Sequence, residues 1–280
     1  MIANARMYSV SPAVAALWRS FFSALIERSG VPMTVIEHAE PTPIDQLWAR
    51  PDKAAVFMCG LPFARAQSPP ILVAAPVPSA AEFGDEAQYS SAFVVRADSA
   101  CRTVEDTLGG RIAFTTPESQ SGYIAALSYL MSMHGSAASR GFPLYREVIA
   151  PTVTPLGALE AVIDGAADVA PIDAYAWRLL LAYRPELTCA VRVVGRTAPT
   201  PIPPLVASRP PAEALPATLV EAHHDAVLAP LMRRLLLRRF ARVEAGAYAV
   251  LRDRYEAAMH YWRDHELAAA THPAFVTQQR

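Results

Sequence analysis

The chain has 280 residues, 52% of them apolar and 18% charged, with a formal net charge of −1. That length suits about two domains of roughly 150 residues each, with enough apolar material to bury a core, which excludes wholesale disorder. The near-neutral charge removes the basic footprint of a nucleic-acid binder, and Lys53, the only lysine, sits in Pro51-Asp52-Lys53-Ala54, so no Gly-Lys-Ser/Thr phosphate loop exists.

In chain order, residues 7–10 read as a short strand. Ser11-Pro12 then supplies an N-cap and a proline at the first helical position, and 13–27 continues as an apolar helix that Gly30 ends. A strand is expected at 33–37, a short helix at 44–49, and a buried strand at 54–58 that runs into Cys59-Gly60-Leu61-Pro62. Further strands are expected at 71–75 and 91–96, and Thr103-Val104-Glu105-Asp106 reads as a capping box before Gly109-Gly110.

The alternation continues with a strand at 111–115, the turn Thr116-Pro117-Glu118-Ser119-Gln120-Ser121-Gly122 and a helix over about 123–134. Thr154-Pro155 caps a helix ending at Gly165, a strand covers 168–172, and Asp173 caps a helix reaching Ala182. A strand at 191–194 precedes a proline-rich stretch at 199–204, and from Ala212 onward the pattern reads as helical, including 227–241 and 248–262. Alternating strands and helices with short loops predict an α/β fold with mostly parallel sheet.

Three cysteines, Cys59, Cys101 and Cys189, cannot build a disulfide framework, and no Cys-x-x-Cys pair is present. No run of about 20 uncharged apolar residues exists, so no membrane insertion is expected. Ser9, Ser11 and Pro12 interrupt any export-signal core near the start. There is no Gly-x-Ser-x-Gly, Gly-x-Gly-x-x-Gly or His-Glu-x-x-His, so no catalytic residue, metal ligand or cofactor is assigned.

The turn Ser119-Gln120-Ser121-Gly122-Tyr123 leaves a strand and enters a helix, a place where unpaired N–H groups and two hydroxyls suit a tetrahedral oxyanion. Gly122 would let a ligand approach the backbone closely. Ordinary capping by Ser119 or Ser121 explains the same residues equally well. Cys59-Gly60 similarly leaves a buried strand, with glycine permitting a tight turn.

Several strings together carry a resemblance. Ser91-Ala92-Phe93-Val94-Val95-Arg96-Ala97-Asp98-Ser99, Val104-Glu105-Asp106-x-x-Gly109-Gly110-Arg111-Ile112-Ala113-Phe114 and Ser119-x-Ser121-Gly122-Tyr123 are followed by Gly165-x-Ala167-Asp168-Val169-Ala170-x-Ile172-Asp173 and Pro203-Pro204-Leu205-Val206. Over nearly the whole chain this resembles the phosphate/phosphite/phosphonate-binding protein family of ABC importers. The resemblance implies a type 2 periplasmic-binding-protein fold: two α/β lobes joined by two crossover strands, closing on a ligand in the cleft. Lobe one would hold residues 1–90 and 200–280, and lobe two residues 91–199.

Carried across, the resemblance places Ser119, Gln120, Ser121, Gly122 and Tyr123 at the anion, with Cys59, Gly60 and Leu61 facing them and Tyr8 and Ser9 joining. Asp173 would line the cleft, holding a ligand amine, hydroxyl or protonated oxygen, or else serve only as a helix cap. The implied ligand is a small anion such as phosphonate or phosphate, the implied partner an ABC permease, and the implied location periplasmic. The absence of an export signal in the opening residues leaves a cytoplasmic location open. Two other classes stand beside this reading: an enzyme on the same fold, using Cys59 as nucleophile or Asp173 as base, and a cytoplasmic ligand sensor.

Overall fold

The structure, a computed structural model, describes residues 1–137 and 143–271. Contacts divide the chain into two compact units: Met1–Tyr89 with Pro201–Ala249, and Ser90–Thr200 with the described residues from Val250 onward.

In the first unit the chain order is β1 (Ile2–Asn4), α1 (Pro12–Ser29), β2 (Thr34–Val35), α2 (Ile44–Ala49), β3 (Lys53–Phe57), α3 (Gly60–Arg65), β4 (Ile71–Pro78) and β5 (Gln88–Tyr89). The second unit contributes β6 (Ser91–Arg96), β7 (Arg111–Ala113), α4 (Ala125–Ala137), β8 (Tyr145–Ile149), α5 (Pro155–Ile163), β9 (Ala170–Asp173), α6 (Ala174–Tyr183), α7 (Pro185–Thr188) and β10 (Val191–Arg196). The chain returns through β11 (Thr200–Pro201) to β12 (Leu205–Ala207), α8 (Ala214–Glu221), α9 (Leu228–Arg234) and β13 (Leu237–Ala241), then ends in α10 (Ala249–Arg263) and β14 (Ala268–Thr271). β5 and β11, which hold the first two crossings, form their own two-stranded sheet.

The first unit is built on a six-stranded sheet of order β13-β4-β12-β3-β1-β2. Ser11 accepts from the Val14 N–H, Pro12 takes the first turn, and Gly30 ends α1 at φ 66°, a left-handed conformation that glycine adopts without steric cost. The buried face of α1 presents Trp18, Phe21 and Phe22. Trp18 meets Phe57 of β3 edge-on at 5.1 Å, and Phe21 stacks on Phe240 of β13 at 5.6 Å. Burying each such ring stabilises by about 1.5–3 kcal/mol. Lys53 is also buried, and its ammonium donates to the carbonyls of Trp48 (2.7 Å) and Arg50 at the end of α2. Those carbonyls have no partner within the helix, so the cation closes it.

The second unit has a sheet of order β10-β6-β9 and another of order β14-β8-β7. A parallel bridge between Ile112 and Val169, with the Ala113 N–H donating to Val169 O at 2.9 Å, joins β7 to β9. Asp168 ties the same edge, accepting from the Arg111 N–H (2.7 Å) and guanidinium (3.1 and 3.3 Å).

Four expectations are corrected. Residues 7–10 are not a strand: the first strand is β1, and Arg6–Tyr8 form a 3-10 turn because Tyr8 packs edge-on against Phe57 at 5.1 Å. The sheets are mixed rather than mostly parallel, since β12, β13, β9 and β10 all pair antiparallel. The helix expected over 227–241 stops at Arg234, where Leu236 turns to φ 56° and releases β13 to pair with β4. The helical tail likewise contains β14, paired parallel with β8, and its last nine residues lie outside the described ones.

The tail also differs from the lobe division that the resemblance implied. From Val250 onward it belongs with the second unit, where the Trp262 indole donates to Leu127 O at 3.1 Å and the Tyr261 hydroxyl meets His134 Nδ1 at 2.6 Å.

Candidate functional site

In the first unit, β1 and β3 are adjacent and parallel, with Asn4 opposite Val56. Their C-terminal ends therefore share one sheet edge, where α/β sheets place ligands. The turn after β1 carries Tyr8 and Ser9, and the one after β3 carries Cys59, Gly60 and Leu61. Tyr8 and Leu61 are core residues, 1% and 0% exposed. The Ser9 hydroxyl donates back to Ala5 O at 2.9 Å. Cys59 occupies the cap position of α3 without a side-chain capping bond and is 5% exposed. Gly60 opens α3 with only Met58 and Cys59 between it and β3, and with no positive φ this tight turn does not draw on glycine's left-handed freedom.

In the second unit, the segment after β7 enters its helix through a π-helical turn, Gln120–Ile124, before α4. The widened turn shows in the Ile124 N–H reaching Ser119 O at 3.1 Å, five residues back. Ser119 is its N-cap and accepts from the Gly122 N–H at 2.9 Å. That N–H is thus committed to Ser119 rather than open to a ligand. The hydroxyl proton of Ser119 stays available, because a serine oxygen that accepts one bond still donates another. The Ser121 hydroxyl makes no hydrogen bond to a described residue, while its carbonyl accepts from the Ser91 hydroxyl at 2.7 Å.

Gly122 has a cause inside the fold as well. A Cβ built on it would stand 2.0 Å from Thr115 Oγ1, so the glycine serves the approach of Thr115. Gln120 is fully buried, and Tyr123 packs edge-on against Phe114 at 5.1 Å. Of the side-chain groups in this turn, the Ser119 and Ser121 hydroxyls have no described residue accepting their protons.

Asp173 ends β9 and caps α6, with Oδ1 accepting from the N–H groups of Tyr175 (2.8 Å) and Ala176 (2.9 Å). Burial first, and the Asp173 charge second, hold the Tyr175 phenol well above the ordinary tyrosine range. The sheet places Asp173 opposite Ser91, whose hydroxyl holds the Ser121 carbonyl. Asp173 and the serine turn are therefore neighbours through one residue, Ser91, which the sequence shows only as the start of a strand. Thr197 was missed as well; its hydroxyl accepts from the Ser91 N–H at 2.9 Å. Among the described residues no group of three or more His, Cys, Asp or Glu is placed to hold a metal ion.

The chain matches a family model described as ABC transporter, phosphonate, periplasmic substrate-binding protein, over residues 8–248. None of the curated proteins matches the sequence. A binding protein component of an ABC phosphonate transporter from Pseudomonas aeruginosa is similar in structure, with TM-score 0.74 and 16% identity over 93% of this chain and 87% of that one. PhnD1 from Prochlorococcus marinus, in complex with methylphosphonate, gives TM-score 0.72 and 15% identity over 92% of this chain and 97% of that one. A Xanthomonas citri protein bound to ATP gives 0.58 and 17% over 95% and 98%. These likenesses show the fold, the two-lobe type 2 class of periplasmic binding proteins.

Proposed function

The chain belongs to the family of periplasmic substrate-binding proteins of ABC phosphonate transporters, and we propose that it captures a small oxyanion or organophosphonate in the periplasm and presents it to an ABC permease. The observation that carries the ligand class is the serine turn. Ser119 and Ser121 bring two hydroxyl donors to the head of a helix, where the backbone dipole also favours negative charge. The one carboxylate of that turn, Glu118, is exposed, and Asp173 beside it has Oδ1 engaged by two N–H groups.

On this reading Ser119 and Ser121 contact the anion, while Gln120, Gly122 and Tyr123 shape the turn that presents them. Ser9, Cys59 and Gly60 are the first unit's contribution on this reading, with Tyr8 and Leu61 packed behind them in its core, and lobe closure is a hinge motion of the kind such folds use. Asp173 sets the edge of the site and accepts a ligand hydroxyl or amine where one is present. Among the described residues no helix is long and apolar enough to cross a membrane.

Isothermal calorimetry with methylphosphonate, phosphite and phosphate tests the assignment, together with small-angle scattering of the same samples. Saturable binding of at least one oxyanion with a smaller radius of gyration is expected. Absence of heat with all three would overturn the ligand class.

A further inference from the structure

One peptide group in the second unit is held at both poles by serine hydroxyls. Ser91 donates to the Ser121 carbonyl at 2.7 Å, and the N–H of the same peptide, on Gly122, donates to Ser119 Oγ at 2.9 Å. Ser91 is fully buried and anchored in turn by Thr197: its N–H donates to Thr197 Oγ1 at 2.9 Å, and its carbonyl accepts from the Thr197 N–H at 3.0 Å. The result is a directed chain from the Ser91 proton, through an amide, to the oxygen of Ser119. Ser119 is half-buried, and no described residue accepts its proton.

Hydrogen bonds in series polarise one another. A donor at the Ser121 carbonyl draws density from the amide and makes the Gly122 N–H the stronger donor. An N–H delivered to Ser119 Oγ then leaves that hydroxyl proton the better donor to whatever lies beyond. The gain is largest when the final acceptor is anionic, because charge-assisted bonds are the strong ones. The bond to Ser119 Oγ also occupies an oxygen lone pair, which orients the proton away from the backbone.

We propose that Ser91 is a positioning residue for oxyanion binding, acting through the Ser121–Gly122 peptide on the Ser119 hydroxyl without touching the ligand. This rests on the oxyanion site proposed above. It assigns a role in recognition to a residue 30 positions from the turn.

The test uses cell-free protein carrying carbonyl-13C serine and 15N glycine. The sequence has only two Ser-Gly peptides, Ser121-Gly122 and Ser29-Gly30, so the labelled spectrum holds one reporter and one control. In Ser91→Ala the Gly122 amide proton is expected to move upfield, Gly30 to stay in place, and methylphosphonate affinity to fall by about three- to tenfold. Ser91→Thr keeps the hydroxyl and is expected to restore both. An unmoved Gly122 signal in Ser91→Ala overturns the proposal, as does weakened binding that a folded Ser91→Thr fails to rescue. Should Ser91→Thr not fold, the Gly122 shift in Ser91→Ala decides. Should the unsubstituted protein bind none of the three oxyanions, the ligand reading fails and this role falls with it, while the Gly122 shift separately reports whether the relay exists.

Discussion

The Gly122 α-carbon lies against the side chain of Thr115, so closely that a Cβ there would be 2.0 Å from Oγ1 and 2.8 Å from Cγ2. The two residues are also bonded through the backbone, with the Thr115 N–H donating to Gly122 O at 3.2 Å. The stretch leaving β7 is thereby stitched to the turn that follows it. Gly122→Ala is expected to destabilise the protein by about 1–3 kcal/mol through overpacking. Pairing it with Thr115→Ala removes both clashing branch atoms. Urea midpoints of the two single variants and the double variant check this: the double variant should lose less than the two single losses added.

Ser119 and Ser121 separate by the number of tasks each performs. Ser119→Ala removes a helix cap and a ligand donor, so it should cost about 0.5–2 kcal/mol of stability as well as affinity. Ser121→Ala leaves the cap bond intact and should lower oxyanion affinity alone, by roughly ten- to hundredfold for a bond to a charged group. Calorimetry with methylphosphonate and thermal melts of both variants give the comparison. Equal affinity in Ser121→Ala and the unsubstituted protein would reduce that residue to a helix position.

The cysteines differ in access. Cys59 is buried, Cys101 half-buried and Cys189 exposed. Iodoacetamide at neutral pH should label Cys189 first and Cys59 last, with Cys59 slowed further by methylphosphonate. Peptide mass spectrometry over time reads the order. Cys59→Ser should bind nearly as the unsubstituted protein does. A nucleophilic thiol would behave oppositely, reacting fast because it is held as thiolate. Rapid stoichiometric labelling of Cys59 would therefore favour an enzyme.

His134 supplies a pH dependence. Burial first, and the neighbouring His265 second, hold its imidazole below the ordinary histidine range. The unfolded chain therefore takes up the proton more readily than the native one, and protonation favours unfolding. The contribution is fully present above the ordinary histidine range and is lost as pH falls through and below it. The urea midpoint should drop more between about pH 7.5 and about pH 5 in the unsubstituted protein than in His134→Asn. Equal drops would remove His134 from the cause.

Much of the fold is legible where the signal is local. Ser11-Pro12 and Gly30 bound α1, Thr154-Pro155 opens α5 and Asp173 caps α6, each because the cap lies within a few residues of the groups it satisfies. The strand β13 is not legible in that way. Its residues suit a helix, and only β4, some 160 positions earlier, draws them into a sheet. The serine turn was visible as a cluster of hydroxyls after a strand, but its division of labour was not. Gly122 answers to Thr115 and the Ser121 carbonyl to Ser91, and neither partner belongs to the turn.

The single lysine makes one side-chain amine a clock of the native fold. Its ammonium is buried at the start of a central strand and engaged by the carbonyls of Trp48 and Arg50. Burial and those two bonds shield it from acylating reagents while β3 and α2 stay together. Acylation of Lys53 then proceeds only through opening events, and its rate at low reagent reports how often that part of the first unit comes apart. Unlike global melts, acylation read on the peptide that carries Lys53, apart from that of the α-amine, would time this opening directly in the native protein, with and without ligand.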